Sequence, residues 1–221
     1  FVELEPDRQM LLISAFSDAE LKAVLDELYL DDTVDIIEEM PATVAKRILR
    51  QADPEMRNAI NQLLRYEENT AGSIMTTEYV SLRSDMTVEE AILRIRRQGV
   101  DKETIYTCYV VDATNKLIGL VTAKDLMLAK KQAKLQDIMN ESVIYAHTED
   151  DKEDVARMIS EYGFLALPIV DRETRLVGIV TVDDAMTVLQ SENTEDIAKM
   201  AAMAPTDKPY LKTSVFSLWK N

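Results

Sequence analysis

The sequence predicts an α+β multidomain protein: an all-α superhelical N domain, a tandem pair of β-α-β-β-α units and a long C-terminal connecting helix. Three observations predict it. Short segments with helical apolar spacing and cap signals fill residues 1–66. A long repeat follows, and helical spacing continues after its second copy. With 221 residues, the chain is long enough to build one large or two modest cores.

Residues 1–66 have repeated helix-start signals. Ser17 and Glu20 form a predicted capping box ahead of an apolar helix face. Asp31 or Asp32 can cap the next helix, which Pro41 ends. Further starts are predicted at Pro6, at Pro41 and at Asp53–Pro54. Short helices with short joints are typical of a stacked helical array, whose first helices we expect to precede this chain.

The repeat lies between residues 67 and 190. Ile74–Val80 aligns with Ile138–Ile144, 64 residues later, and Leu117–Thr122 aligns with Leu176–Thr181, 59 residues later. The first unit therefore has five extra residues, around Val100–Thr107. We place the first unit at 67–136 and the second at 137–190, each with two central strands joined by a tight turn.

The C-terminal part, 191–221, is predicted to be a connecting helix. Helical spacing runs from about Asp183 to Met203, and Pro205 and Pro209 interrupt it. Tyr210–Trp219 is amphipathic and flanked by lysines, which is typical of a juxtamembrane segment.

The charge balance limits the function classes. There are 40 acidic and 25 basic residues, giving a net charge of −15, which disfavours nucleic acid as a partner. Two carboxylates 4 Å apart repel by about 1 kcal/mol in water and about 4 kcal/mol near a protein surface. Clustered carboxylates therefore fit either a divalent-cation site or ordinary solvated surface.

Other features of the sequence argue against several classes. No apolar run is long enough to span a membrane, and no signal peptide opens the chain. A single cysteine, Cys108, excludes an internal disulfide framework. We interpret Cys108 and His147 as structural residues. The sequence has no nucleophile elbow, P-loop or metal-hydrolase motif, so we do not expect an enzyme.

Two motifs carry a family resemblance. Gly119–Asp125, GLVTAKD, and Gly178–Asp184, GIVTVDD, resemble the ends of tandem CBS domains. Acidic helices before the pair and Ala185–Met200 after it make the order similar to the cytosolic part of MgtE-family magnesium transporters. The resemblance covers essentially the whole chain. It implies a location on the cytoplasmic side of the cell membrane, with the chain's own transmembrane domain starting where this sequence ends.

The resemblance also implies a homodimer, joined through its CBS domains, that senses several Mg²⁺ ions and closes a pore when they bind. The residues that match its ligand positions are Asp31, Asp35, Glu153, Asp184, Glu192, Glu195 and Asp196. The last three share one helix face, since they are spaced i, i+3 and i+4, and could equally be a solvated surface. Gly163 and Thr187 depart from the pattern, because acidic residues can occupy those positions.

The alternative function is a nucleotide-sensing CBS module, with ATP or AMP as the modulator. The residues implied for nucleotide binding are Thr122, Lys124, Asp125, Phe164 and Thr181, with Asp184 beside the last of them. Thr107 replaces an aromatic residue that would complete the adenine stack. A structural interpretation remains open, in which the glycine allows a tight strand and the Thr–Asp pairs cap helices. A plain dimerisation domain is a third alternative.

Overall fold

The computed structural model describes residues 1–2 and 4–200, without the side chains of residues 101, 195, 196 and 198–200. Two parts of the predicted connecting helix therefore lie outside the described residues: the segment 201–221, and the side chains of Glu195 and Asp196. None of the described helices combines the length and the apolar character needed to cross a membrane.

Five helices form the N domain, as predicted. They are α1 (Pro6–Ala15), α2 (Asp18–Leu25), α3 (Leu30–Glu39), α4 (Ala42–Gln51) and α5 (Pro54–Leu63). The capping box predicted at Ser17 and Glu20 is present, with the Ser17 N–H donating to the Glu20 carboxylate over 2.8 Å. Asp53 caps α5 by accepting from the Met56 N–H at 2.8 Å. Pro41 is the N-cap of α4 and not its first helical residue.

The start of α3 differs from the prediction. Its N-cap is Tyr29, whose side chain makes no capping hydrogen bond, and Asp31 and Asp32 lie inside the first turn. The Leu30 N–H donates instead to the Glu78 carboxylate at 3.1 Å. The prediction was wrong because it considered only local caps, whereas this cap comes from a residue 48 positions later.

The two repeated units have the predicted element order. The first contains β1 (Ser81–Arg83), α6 (Val88–Gln98), β2 (Thr107–Val111), β3 (Leu117–Thr122) and α7 (Ala123–Leu128). The second contains β4 (Ala146–His147), α8 (Lys152–Tyr162), β5 (Ala166–Val170), β6 (Leu176–Thr181) and α9 (Val182–Met200). Each unit forms a three-stranded sheet, ordered β1-β2-β3 and β4-β5-β6, in which the first pair is parallel and the second antiparallel.

The opening segment of each unit packs on the sheet of the other unit. Thr76 exchanges two backbone hydrogen bonds of 2.9 Å with Ile179 on β6. Asn140 exchanges two with Leu120 on β3, at 3.0 and 2.9 Å. The two units are therefore tied together by reciprocal crossing segments.

This crossing explains the repeated glycine. A Cβ on Gly178 would lie 2.5 Å from the Met75 Sδ, and one on Gly119 would lie 2.7 Å from the Met139 Sδ. Both distances are far below van der Waals contact, so a side chain would displace the crossing segment. The glycines therefore allow the two units to approach closely. This role is separate from any conformational need for glycine within the strand itself.

The five extra residues of the first unit form a loop before β2. A 3-10 turn, Gly99–Asp101, follows α6, and the chain reaches β2 only at Thr107. In the second unit Gly163 ends α8 in the left-handed conformation, with φ of 67°, and β5 starts at Ala166. The Glu103 N–H in the longer loop donates to the Glu78 carbonyl at 3.0 Å. The extra loop is thereby held against the segment that also caps α3.

The largest apolar core crosses a domain boundary. Buried side chains of the N domain, including Ile48 and Ile60, belong to one cluster with Ile159, Leu167 and other residues of the second unit. The first unit has a separate core around Leu82, Val110 and Val121. The N domain is thus packed through apolar contact mainly on the second unit.

Candidate metal centre

Three carboxylates meet where the N domain and both repeated units adjoin. Asp31, Glu103 and Asp184 each present an oxygen, and the three oxygens lie within 4.8 Å of one another. Asp31 comes from α3, Glu103 from the extra loop of the first unit and Asp184 from the first turn of α9. No two of these residues are close in the sequence, so the group exists only in the folded, docked chain.

Glu78 positions two of the three carboxylates. Its side chain accepts from the Leu30 N–H at 3.1 Å and so fixes the start of α3, one residue before Asp31. Its backbone carbonyl accepts from the Glu103 N–H at 3.0 Å. The third carboxylate, Asp184, accepts a hydrogen bond from the Thr181 hydroxyl at the end of β6. The geometry of the group therefore depends on Glu78 of the first unit and on the Thr181 hydrogen bond at the start of α9.

The environment opposes ionisation of all three groups. Burial, followed by the charge of Asp184, raises the pKa of Asp31 to about 7. Burial, followed by Asp31 and Asp184, raises the pKa of Glu103 to about 8. Burial also raises the pKa of Asp184 to about 6, although the Thr181 hydrogen bond acts in the opposite direction. No described lysine or arginine forms an ion pair with any of the three.

Two oxygens of the group lack partners. Asp31 Oδ1 and Glu103 Oε2 are buried and accept no hydrogen bond. Leaving such an atom unsatisfied costs about 1–3 kcal/mol, and more when it is charged. A hard divalent cation with oxygen ligands would satisfy both atoms and remove the repulsion. The donor set contains only oxygens, so it fits Mg²⁺ better than a metal that prefers nitrogen or sulfur.

Asp35 lies one turn after Asp31 on α3, at the edge of the group. Its side chain retains solvent exposure. Burial by the surrounding elements, followed by the charges of Asp184 and Glu38, nevertheless raises its pKa to about 7. Asp35 is not one of the three residues whose oxygens converge. It is placed to add negative charge beside the group, on the solvent side.

The remaining predicted metal ligands lie elsewhere. Glu153, in the first turn of α8, forms an ion pair with Arg157 at 2.8 Å. Glu192 is half-buried on α9. Two positions depart from the family pattern of acidic residues. Gly163 has the left-handed backbone that favours glycine. The Thr187 hydroxyl donates to the Asp183 carbonyl at 3.2 Å. The described structure does not bring these residues into the three-carboxylate group.

Sequence reasoning missed Glu103 and Glu78. Glu103 belongs to no motif, and Glu78 lies in the repeated segment Ile74–Val80, where no site had been considered. A signal for Glu103 was present in the repeat offset, which falls from 64 to 59 and so marks an added loop in the first unit. Glu103 lies in that loop, and its side chain reaches the carboxylate group. That signal marks a loop with a special role, but it does not reveal what the loop contacts.

The predicted nucleotide-binding residues come from both repeated units. Thr122 and Asp125 form a capping box at the start of α7, and the Thr122 hydrogen bond lowers the pKa of Asp125. Lys124 is exposed beside them. Phe164 stacks on Tyr162 with centroids 5.4 Å apart, and Thr181 is buried beside Asp184. The equivalent Thr–Asp pairs thus differ: the first only caps a helix, whereas the second is part of the carboxylate group.

The two residues interpreted as structural are placed accordingly. Cys108 is fully buried on β2, and burial raises its pKa to about 12. His147, on β4, makes an edge contact with Tyr145 at 5.7 Å. Neither belongs to a metal-binding group within the described residues.

These features define the class of protein: a helical domain docked on a tandem pair of CBS domains, with a carboxylate group at the junction. The CBS domain model matches residues 71–131 and 135–191. The model of the MgtE intracellular N domain matches residues 1–69. The chain therefore belongs to the MgtE family, in which an intracellular N domain precedes a CBS pair.

Named relatives agree with this assignment. The chain is 44% identical over 194 residues to the magnesium transporter MgtE of Thermus thermophilus, covering 86% of this chain and 43% of that protein. It is 33% identical over 200 residues to the Bacillus subtilis magnesium transporter MgtE, covering 90% and 44%. The chain thus spans less than half of the length of these relatives. They are named as transporters and not as enzymes, in agreement with the expectation from the sequence.

A solved structure has the same fold. The cytosolic domain of a Mg²⁺ channel MgtE in complex with ATP superposes with a TM-score of 0.81 and 42% identity, covering 85% of this chain and 77% of that one. The match includes the N domain and the CBS pair, which confirms the predicted fold class.

Proposed function

We propose that this chain is the magnesium-sensing, gating region of a longer magnesium transporter. The observation that carries the proposal is the convergence of Asp31, Glu103 and Asp184 from three domains. A cation bound there joins the N domain to the CBS pair. When the cation leaves, the carboxylates repel, and the N domain separates from the pair. This change is passed along α9, which begins at the group, to a membrane domain outside this chain.

The chain can act as a sensor because some interactions favour docking of the N domain on the CBS pair and others oppose it. Apolar contact and the Glu78 hydrogen bond hold α3 against the CBS pair. The buried carboxylates oppose that contact, since their proximity and burial disfavour ionisation. Binding of Mg²⁺ at millimolar affinity contributes about −4 kcal/mol per site. An energy of that size is large enough to change which arrangement predominates.

The finer parts of the proposal follow the family. Glu153, Glu192, Glu195 and Asp196 hold further Mg²⁺ ions on α8 and α9. The chain acts as a homodimer through its CBS domains, on the cytoplasmic side of the cell membrane. Support comes from the MgtE relatives, which are named as magnesium transporters. Their greater length leaves room for the transmembrane domain to which this region would be joined.

The test is small-angle scattering of the chain in metal-free buffer and with Mg²⁺ up to about 20 mM. We expect the radius of gyration to decrease with Mg²⁺ in the native chain. Glu103→Gln should shift the midpoint to higher Mg²⁺ by about tenfold, because one charged ligand is lost. Asp26→Asn is the matched control, since Asp26 is an exposed N-domain carboxylate paired with Lys22. Unchanged dimensions at all concentrations would overturn the proposal.

A second function, nucleotide modulation, is favoured by the ATP complex of the similar MgtE cytosolic domain. In this chain the first Thr–Asp pair, Thr122 and Asp125, is the better candidate, with Lys124 and Phe164. The second pair belongs to the group of Asp31, Glu103 and Asp184, whose clustered acidic oxygens disfavour a phosphate. Calorimetry with ATP and AMP tests this function. Thr107→Tyr should strengthen binding by restoring an aromatic partner for the base, whereas Asp125→Asn should weaken it.

A further inference from the structure

A pocket beside the edge strand β1 is lined by positive charge. Its volume is about 470 Å³, and its lining includes Arg94, Arg97 and Lys102 together with the hydroxyl residues Thr77 and Ser81. No carboxylate is among its lining residues. The lining thus has the opposite sign to the net charge of the chain, which is −15.

The three cations lack counter-ions among the described residues. Arg94 and Arg97 share a face of α6, since they are three positions apart. The Nε of Arg94 donates to the Gln98 side chain at 3.2 Å, and the Nε of Arg97 donates to the Leu93 carbonyl at 3.4 Å. Neither guanidinium nor the Lys102 ammonium forms an ion pair with a described carboxylate.

Burial makes this lack of counter-ions informative. Arg94 and Lys102 are half-buried, so bulk water compensates their charges only in part. By contrast, Arg157, on the equivalent helix of the second unit, pairs with Glu153 and Asp154. The C-terminal end of α6 supplies a partial negative charge of about half a unit, which offsets only a small part of the three positive charges. The pocket therefore retains a net positive field.

The chemistry of the lining identifies the ligand class. A guanidinium offers paired N–H donors that match the spacing of phosphate oxygens, and an ammonium adds a point charge. The Thr77 and Ser81 hydroxyls are further donors for the same oxygens. We propose that this pocket binds a phosphoryl group carrying at least two negative charges. Free pyrophosphate, the polyphosphate of a nucleotide and a phosphorylated lipid headgroup share that chemistry.

The pocket is distinct from the other sites. It opens at β1, which is one edge of the sheet β1-β2-β3, whereas the Thr122–Asp125 pair follows β3 at the opposite edge. It also shares no residue with the carboxylate group. Phosphoryl binding here would therefore respond to different substitutions from cation sensing, and either could fail alone.

The test is calorimetric titration of the 221-residue chain in metal-free buffer. Pyrophosphate and ATP are titrated separately, and binding to vesicles containing a phosphoinositide is measured by sedimentation. The variant R94Q/R97Q should weaken binding of the active ligand by at least about tenfold, since two charged hydrogen-bond donors are lost. Glutamine is a good helix former, so α6 should be retained.

Arg157→Gln is the matched control, because it removes one arginine from the equivalent helix α8 and should leave binding unchanged. Asp125→Asn separates the pocket from the nucleotide site. ATP binding that is sensitive to Asp125→Asn and insensitive to R94Q/R97Q belongs to the nucleotide site, and the pocket is then judged on pyrophosphate and vesicles. Binding of pyrophosphate, of ATP or of vesicles alone supports the pocket if it is lost in R94Q/R97Q. The ligand that binds then identifies the source of the phosphoryl group. Absence of any binding that R94Q/R97Q weakens, in all three arms, would overturn the proposal.

Discussion

At the scale of single residues, identical motif positions have different roles. Asp125 and Asp184 occupy the same place in the two CBS units, and each is hydrogen-bonded to a threonine three positions before it. The threonine lowers the pKa of Asp125, whereas burial raises the pKa of Asp184 to about 6. The difference arises because Glu103 and α3 surround only the second of the two. Location, not residue type, therefore makes Asp184 a candidate ligand.

The raised pKa values predict that stability of the metal-free chain depends on pH. Asp31, Glu103 and Asp184 have folded pKa values of about 7, 8 and 6, above the usual values near 4. Their protons are bound more tightly in the folded chain, so stability is greatest below about pH 4 for these groups and decreases as pH rises through 6–8. We expect the melting temperature to fall between pH 5.5 and about 8, and Mg²⁺ at about pH 8 to restore it.

Glu103→Gln provides the comparison for this pH dependence. The variant removes the carboxyl with the highest folded pKa of the group, so its melting temperature should vary less across the same interval. Asp26→Asn should retain the full pH dependence. A native chain whose melting temperature rose steadily from pH 5.5 to about 8 without metal would contradict the assignment of these groups.

The repeated glycine gives a second prediction about single residues. Gly178→Ala would place a methyl 2.5 Å from the Met75 Sδ and should destabilise the chain by about 1–3 kcal/mol through overpacking. Urea unfolding measures this change. Met75→Ala in the same chain removes the contact with the Sδ and leaves only the Thr76 carbonyl oxygen, 2.9 Å from the added Cβ, so the double variant should lose less stability than the sum of the two single losses. Strict additivity would show that the two side chains do not compete for the same space.

At the scale of elements, the position of α3 depends on a cap from another domain. The other capped helices of the N domain use their own N-cap side chains, as Ser17 and Asp53 do. The α3 helix uses the Glu78 carboxylate, and the same residue holds the Glu103 loop through its carbonyl. One residue of the first CBS unit thus couples two elements that carry candidate metal-binding carboxylates.

Glu78→Ala should therefore weaken Mg²⁺-dependent docking as well as helix stability. Loss of a helix cap costs about 0.5–2 kcal/mol, and we expect a comparable increase in the free energy needed to dock the N domain. Hydrogen exchange of the Leu30 amide and the Mg²⁺ midpoint in scattering both report it. Ser17→Ala removes a cap contained within the N domain and should leave the Mg²⁺ midpoint unchanged. Equal midpoints in the two variants would exclude the coupling.

At the scale of the whole molecule, domain contacts are asymmetric. The N domain shares an apolar core with the second CBS unit, whereas it meets the first unit through Glu78 and Glu103. The crossing segments at Thr76 and Asn140 tie the two units into one body. Apolar contact cannot be released by a cation, but the carboxylate junction can. The junction is therefore the place where Mg²⁺ would control the arrangement.

Charge reversal on the connecting helix tests whether α9 takes part in sensing. We expect E192K/E195K/D196K to abolish the protection that Mg²⁺ gives against limited proteolysis, because three ligand charges become repulsive to a cation. Circular dichroism should show that the helix is retained, as lysine is a good helix former. Full Mg²⁺ protection in this variant would assign sensing to the Asp31–Glu103–Asp184 group alone.

Much of the architecture was predictable because its signals are local. Capping boxes, proline positions and the repeat offset predicted the helices, both CBS units and the added loop, and each signal depends on residues close in sequence. The metal-site prediction was less complete. Asp31 and Asp184 matched family positions, but Glu103 belongs to no motif, and the cap of α3 was assigned to the wrong residues. Both omissions concern contacts between residues far apart in the chain.

The sequence by itself determined the order of the domains, the net charge and the oxygen-rich chemistry that fits Mg²⁺. Only the tertiary structure decided which carboxylates meet, that Glu78 fixes two of them and that Met75 and Met139 require glycines opposite. The physical reason is distance along the chain. Periodicity and capping act over a few residues, whereas burial and mutual repulsion act between groups that only docking brings together.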